Sequence, residues 1–266
     1  MGESTTISWT DATMNPWMGC TKVSAGCRNC YAEALTTGRM GLRLWGADAP
    51  RQVTKSPWAN VRRWDAAARQ DGVRRRVFCA SLADVFEDHP TADATRPALW
   101  DLVRALDGLD WQILTKRPER IADHLPPDWG GGWPHVWLGT TIEDARVVGR
   151  ADHLRAVPAA VRFVSYEPAI GPLAGALDLT GIGWVIYGGE SGPGRRPEDK
   201  QWARDMRDAC RSRGVAYYHK QSAGHRSGLG VALDGEVVHE MPRTPYDGRP
   251  AEDVRQRPAS SQLALL

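Results

Sequence analysis

Trp111-Gln-Ile-Leu-Thr115, the cationic pair Lys116-Arg117, Pro118-Glu-Arg-Ile-Ala-Asp-His-Leu125 and Val136-Trp-Leu-Gly-Thr140 follow one another along the chain. The first and last runs are short, apolar and bounded by polar residues, as strands are, whereas Pro118 suits the first turn of a helix running to Leu125. A strand, a helical crossover and a second strand make a βα unit, whose strands pair in parallel. The same unit recurs on either side. Val77 to Ser81, Val161 to Ser165, Trp184 to Tyr187 and Val215 to His219 are further strand runs. Arg96 to Leu106, Glu143 to Ala156 and Lys200 to Arg213 carry helical spacing, the last with Gly214 as a C-terminal cap. A short strand at Ile7 to Thr10 brings the count to about seven. The class is α/β: a complete or incomplete (β/α) TIM-like barrel of mostly parallel strands comes first, an open doubly wound sheet second.

Length and composition agree with one large domain. The chain has 266 residues, 42% hydrophobic and 25% charged, near globular averages, which disfavours wholesale disorder, collagen-like repeats and coiled coil. A barrel of this kind would occupy residues 1–243, with the proline-punctuated polar stretch 244–266 as a partly mobile tail. Gly38 to Pro57 reads as an ordered excursion. The formal net charge is +2, so a nucleic-acid surface must come from local clustering. No apolar stretch approaches the roughly 20 residues needed to span a bilayer, and MGESTTISW lacks the basic flank and apolar core of a signal peptide, so a cytoplasmic protein without membrane contact is expected.

Polar residues recur just after the strand runs: Ser81 and Asp84, Lys116 and Arg117, Glu143, Glu167, Gly188-Gly189-Glu190, then Lys220 and Gln221. Strand C-termini of a parallel α/β fold converge on one rim, where such folds build their sites. Each residue taken singly fits a helix cap or a solvated loop charge equally well; their recurrence points to a site.

Cys20-Thr-Lys-Val-Ser-Ala-Gly-Cys27-Arg-Asn-Cys30 is a CX6CX2C array between the first strand and a helical stretch beginning near Tyr31. Five cysteines is an odd number, and three of them in eleven residues fit a metal site better than a disulfide framework. Structural zinc closes its shell with four protein ligands, whereas three leave a coordination position open. No histidine lies beside the array; the nearest, His89, is far away in sequence. The alternatives are an iron–sulfur cluster with one open iron, a zinc completed from a distance, or unliganded thiols, and the ligand count favours the first.

Three closely spaced cysteines ending Cys27-X-X-Cys30-Tyr31, inside a barrel-like pattern, resemble radical S-adenosylmethionine enzymes, including the Cys-Tyr ending of spore photoproduct lyases. The strings TISWTDATMNPWMGCTKVSAGCRNCYAE, LTKRPER, VWLGTTIED, SYEPAIGPL, VIYGGESGPGRRP and YYHKQSAG resemble, from about Thr6 to Met241, a phage-associated three-cysteine-motif family of unknown function. The radical-enzyme resemblance implies that Cys20, Cys27 and Cys30 hold three irons of a 4Fe-4S cluster, with the amino and carboxylate groups of S-adenosylmethionine on the fourth. It implies a low-potential electron from a donor such as flavodoxin or ferredoxin, and a 5′-deoxyadenosyl radical that abstracts hydrogen from an unactivated carbon. The commonest spacing in that superfamily is CX3CX2C, three residues shorter than here. Its Gly-Gly-Glu element follows the second strand, whereas Gly188-Gly189-Glu190 follows a late one.

On this reading Tyr31, Ser81, Asp84, Glu143, Gly188, Gly189 and Glu190 are candidates for binding the cosubstrate, and Glu167, Glu190 and Lys116 for catalytic roles. Gly188 to Arg196 joins a glycine turn to two guanidinium groups, so Arg195 and Arg196, with Arg117, are candidate anchors for an anionic substrate, a nucleotide or nucleic acid. A tight turn with solvated arginines is the alternative. Arg62, Arg63 and Arg74 to Arg76 read as solvated faces, and Cys79 and Cys210 as small buried hydrophobes. HEXXH, Walker and GXSXG patterns are absent, so zincin, P-loop and α/β-hydrolase chemistry lack their signatures. The second function class is a zinc- or cluster-stabilised nucleic-acid-binding protein without catalysis.

Overall fold

The computed structural model describes residues 5–247; most of the expected tail, 248–266, and the start of the expected non-signal N-terminus, 1–4, lie outside the described residues. In chain order the strands are β1 (Ala12–Thr13), β2 (Trp17–Met18), β3 (Gln52–Val53), β4 (Arg75–Cys79), β5 (Leu109–Thr115), β6 (Val136–Thr141), β7 (Val161–Ala169), β8 (Trp184–Gly189) and β9 (Ala216–Gln221). The helices are α1 (Tyr31–Glu33), α2 (Ser56–Asp71), α3 (Pro90–Ala105), α4 (Arg150–Arg155) and α5 (Lys200–Arg213). Seven strands form one all-parallel sheet in the order β1-β4-β5-β6-β7-β8-β9, while β2 and β3 pair as a separate antiparallel ribbon. The spatial order of the seven is their chain order. A doubly wound sheet reverses direction at a switch point, and this one does not, so the structure bears out the incomplete barrel.

The curl can be measured on one side chain. The Trp9 ring lies 4.6 Å from Phe78 of β4 and 6.0 Å from Trp184 of β8. In a flat sheet those strands, four apart, would stand roughly 19 Å from each other. Trp9, Phe78, Trp137, Phe163, Trp184 and Tyr218 fill the concave face, and Gly139 lacks the Cβ that would occupy the Phe163 ring position. The convex face carries the aliphatic strand residues Val77, Ile113, Leu138, Val164 and Val185, covered by Val61 and Trp64 of α2, Leu99 and Val103 of α3, Leu154 of α4 and Met206 of α5. Each such side chain contributes about 1.5–3 kcal/mol when fully buried.

Strand runs and α5 match the sequence reading, and Gly214 caps α5 in the left-handed region at φ 66°. Four readings need correction. Residues 7–10 form a turn, Thr10 N donating to Ile7 O at 3.3 Å, because Trp9 is drawn into the barrel; the sheet strand is β1, just after it. Pro118 to Leu125 is two 3-10 turns, Pro118–Arg120 and Ala122–His124, tied to the preceding loop by Arg120 Nε on Phe86 O at 2.9 Å. Glu143 to Ala156 begins with a 3-10 turn, Ala145–Val147, capped by the Asp144 side chain accepting from Arg146 N, and becomes α-helical only as α4 from Arg150. α3 starts at Pro90, six residues early, on a His89 cap whose Nδ1 accepts from Thr91 N. The helix α2 was not foreseen.

The excursion after the cysteines is ordered, as expected, around Arg51, which is 6% exposed. Its guanidinium pairs with Glu87 at 2.6 Å and donates to the carbonyls of Leu44, Gly46 and Ala49. Beyond β9, residues 238–240 run antiparallel beside it: His219 N donates to Val238 O at 2.8 Å, and Glu240 N to Tyr217 O at 3.1 Å. The His239 ring stacks on Tyr218 at 4.2 Å.

Candidate functional site

The cysteine loop crosses the C-terminal ends of the sheet strands. It leaves β2 through Gly19, whose φ of 109° is left-handed and whose missing Cβ makes room for the Leu44 carbonyl. Cys27 ends a 3-10 turn, Ala25–Cys27, and Cys30 is the residue on which α1 starts.

Four parts of the chain pin the loop. Glu143 is buried, with Oε1 accepting from Gly26 N at 3.1 Å and Oε2 from Arg150 Nη1 at 2.8 Å. Asn29 Nδ2 donates to Glu190 Oε2 at 3.0 Å and to Gly194 O at 2.7 Å. Arg196 pairs with Glu190 and reaches Ala25 O at 3.0 Å. At the other end, Thr21 N donates to Glu87 Oε1 at 2.7 Å, and Thr21 O accepts from Arg117 Nη2 at 2.7 Å.

Cys20, Cys27 and Cys30 line one cavity of about 530 Å³ at the mouth of the half-barrel, with Trp9 on its floor side and Lys116, Glu167 and Lys220 on its walls. None of the three is in a disulfide. Burial pushes the Cys20 thiol up to about 12, helped by Asp84 and Glu87 and opposed by Arg117, whose Nη1 lies 3.7 Å from the sulfur. Burial also raises Cys30, against the pull of Lys116. The adjacent cations Lys116 and Arg117 thus serve two different thiols.

Among the described residues, no group of three or more His, Cys, Asp or Glu is placed to hold a metal ion. A single zinc draws its thiolates to about 3.8 Å from one another, since each sits at about 2.3 Å from one centre. A cluster takes one thiolate per iron and needs no such convergence. Three free thiols lining one cavity, with Arg117 beside the Cys20 sulfur and Lys116 opposing the rise at Cys30, are a donor set that fits a cluster.

Of the residues picked out from sequence, Tyr31, Ser81, Asp84, Lys116, Arg117, Glu167, Gly189, Glu190 and the three cysteines line the cavity. Tyr31 Oη donates to Ser81 O at 2.8 Å, leaving the ring at the mouth. Lys116 Nζ donates to Thr141 Oγ1 at 3.3 Å, and Lys220 pairs with Glu167. Burial raises Glu190, but Arg196 and Asn29 outweigh it and hold its carboxyl below the usual carboxylate range. Asp84 is taken up by Thr115 Oγ1, Lys116 N and Arg117 Nη1.

Three placements bear on the assigned roles. Arg117 is buried on Asp84, Cys20 and Thr21 O, and Arg196 is bound to Glu190 and Ala25 O, so neither guanidinium is free for a substrate. Glu143 lies outside the cavity lining and braces the loop. Gly188 is likewise outside it; a Cβ there would meet the Glu167 carboxyl carbon at 2.7 Å, and at Gly189 it would strike Ala223 N. Close packing explains that glycine pair. Arg195 is exposed on the neighbouring loop. Asn29, Arg51, Glu87 and Arg150 were missed. Only Asn29, inside the array, carried any local signal.

The family model described as "Protein of unknown function (DUF5131)" matches residues 4–242, and the chain belongs to that family. No curated protein matches it. Among solved structures, a spore photoproduct lyase mutant with bound AdoMet and dinucleoside spore photoproduct is similar, with a TM-score of 0.47 and 13% identity, over 77% of this chain and 62% of that chain. This chain thus spans about three-fifths of that protein. The likeness is slight, and the fold assignment rests on the strand order. Among the described residues no helix is long and apolar enough to cross a membrane.

Proposed function

We propose that this protein is an iron–sulfur, S-adenosylmethionine-dependent radical enzyme that modifies or repairs a nucleotide or nucleic acid. The observation that carries the reading is that Cys20, Cys27 and Cys30 all line one cavity at the strand C-termini, with no other cysteine and no histidine among the described residues that line it. Those three residues would hold a 4Fe-4S cluster, which with the cosubstrate supplies reductive cleavage of a sulfonium and a hydrogen-abstracting carbon radical. The chain's own share is binding, orientation and exclusion of water.

Arg117 and Lys116 balance thiolate charge at Cys20 and Cys30. Glu167 with Lys220, and Lys116 with Thr141, offer a carboxylate and two ammonium groups to the amino and carboxylate ends of the cosubstrate or to a substrate proton. The Trp9 and Leu114 side chains give the cavity an apolar floor that excludes water from a radical. A low-potential protein donor, such as flavodoxin or ferredoxin, would supply the electron.

Anaerobic reconstitution should yield about four irons and four sulfides per chain. Reduction with S-adenosylmethionine should then release 5′-deoxyadenosine. One tight zinc with no iron, or iron-loaded protein that leaves the cosubstrate intact, overturns the reading.

A further inference from the structure

Arginines on the outer helices are mostly neutralised: Arg69 pairs with Asp65, Arg104 with Asp128, Arg155 with Asp152 and Arg204 with Asp234. At the cavity mouth the pattern is different. Arg28 stands between Cys27 and Cys30, Arg195 on the loop after β8, and His225 and Arg226 on the loop after β9. All four are exposed, and among the described residues their side chains make no hydrogen bond or ion pair. The carboxylates on or beside these loops are occupied, Glu190 by Arg196, Glu33 by Lys22 and Glu198 by the Tyr187 hydroxyl.

The three loops are joined to one another, so these cations share one rim. Asn29, next to Arg28, donates to Gly194 O, next to Arg195, at 2.7 Å. Ser191 bridges to Gly224, and its hydroxyl lies 3.1 Å from that of Ser227, next to Arg226. Cys27, Asn29, Ser191 and Ser227 from the same loops line the cavity. Unpaired guanidinium groups on three joined loops beside a cavity mouth are suited to phosphates spaced along a chain, whose counterions they displace. A free nucleotide would place its phosphates at a single point; cations spread over three loops suit a polymer.

We propose that the substrate is a nucleotide held within a nucleic-acid strand, whose flanking phosphodiesters lie on Arg28, Arg195 and Arg226 while the target unit enters the cavity. This rests on the reading of the cavity as the reaction site, but it is tested by binding alone.

The experiment measures fluorescence anisotropy of labelled 12-nucleotide single strands, deoxy and ribo, against reconstituted protein over a salt series, with iron content determined on each sample. Binding of either strand that weakens with salt is expected, and the two arms tell which sugar is preferred. Each of R28A, R195A and R226A should lower the slope of log K against log salt by about 0.7, and the triple variant by about 2. R62A, on the outer face of α2, should leave it unchanged. No binding by iron-loaded wild type, or a triple variant with the wild-type slope, overturns the proposal. Strand binding by protein that takes up no iron would instead sink the radical reading and leave this one standing.

Discussion

The ion pair of Arg51 with Glu87 offers the sharpest test of how the cysteine loop is held. Their side chains are 0% and 1% exposed, and Glu87 also receives Thr21 N, one residue from Cys20. Replacing Glu87 by Gln keeps the shape and removes the countercharge, leaving a buried guanidinium uncompensated. That should cost about 3–5 kcal/mol, a large part of the roughly 5–15 kcal/mol that holds a typical domain together. With a urea slope near 3 kcal/mol per molar, the unfolding midpoint should fall by about 1–1.7 M. R51M should lose at least as much, because it also strips donors from the carbonyls of Leu44, Gly46 and Ala49. R51M/E87L should be less damaged than the two single losses added together, with a coupling above ~2 kcal/mol, because no charge remains buried. Urea unfolding followed by tryptophan fluorescence gives these numbers, and alkylation of Cys20 should quicken in both single variants. A coupling below ~0.5 kcal/mol, or singles that lose under ~1 kcal/mol, would refute the view that this pair anchors the loop.

Three further outcomes are expected. R196A should lower iron retention after reconstitution, since Arg196 ties Glu190 and Ala25 together, whereas R195A should retain iron as wild type does; equal retention in the two would separate Arg196 from the loop. G189A should lower the thermal midpoint through overpacking worth about 1–3 kcal/mol or more, because the new Cβ strikes Ala223 N on the next loop. Burial lowers the pKa of His219 beneath its ordinary 6.5, against the bond to Gly230 O. The unfolded chain therefore binds the extra proton first, so this stabilisation is complete above about pH 6.5 and is lost as pH falls from there through the folded value. H219Q should show a shallower fall of thermal midpoint below pH 6.5 than wild type.

The strands were legible because buried parallel strands are nearly continuous apolar runs, and α5 because its Gly214 and its period agree. Pro118 was a true turn signal, yet a start signal does not guarantee a helix when tertiary bonds such as Arg120 to Phe86 O bend the chain. The α2 stripe, Pro57, Val61, Trp64 and Ala68, is present at helical spacing, but only its solvated side, Arg62 and Arg63, was read from the sequence. At the site, the cysteines announce themselves through spacing. Their supports do not, because the partners lie far off in sequence: Glu143 is 117 residues from Gly26, and Glu190 is 161 from Asn29. A carboxylate after a strand reads the same whether it faces a ligand or braces a loop.

A half-barrel, unlike a closed one, has two edges with backbone groups left to satisfy. One belongs to β1, only two residues long and so a poor template for another chain. The other belongs to β9, six residues including Tyr217 and Tyr218, and residues 238–240 cover it. That short segment acts as a guard against edge-to-edge aggregation. A chain cut before Val238 would keep the cavity, the cysteines and all seven sheet strands, and would nevertheless be sticky, pairing through β9 with its own copies.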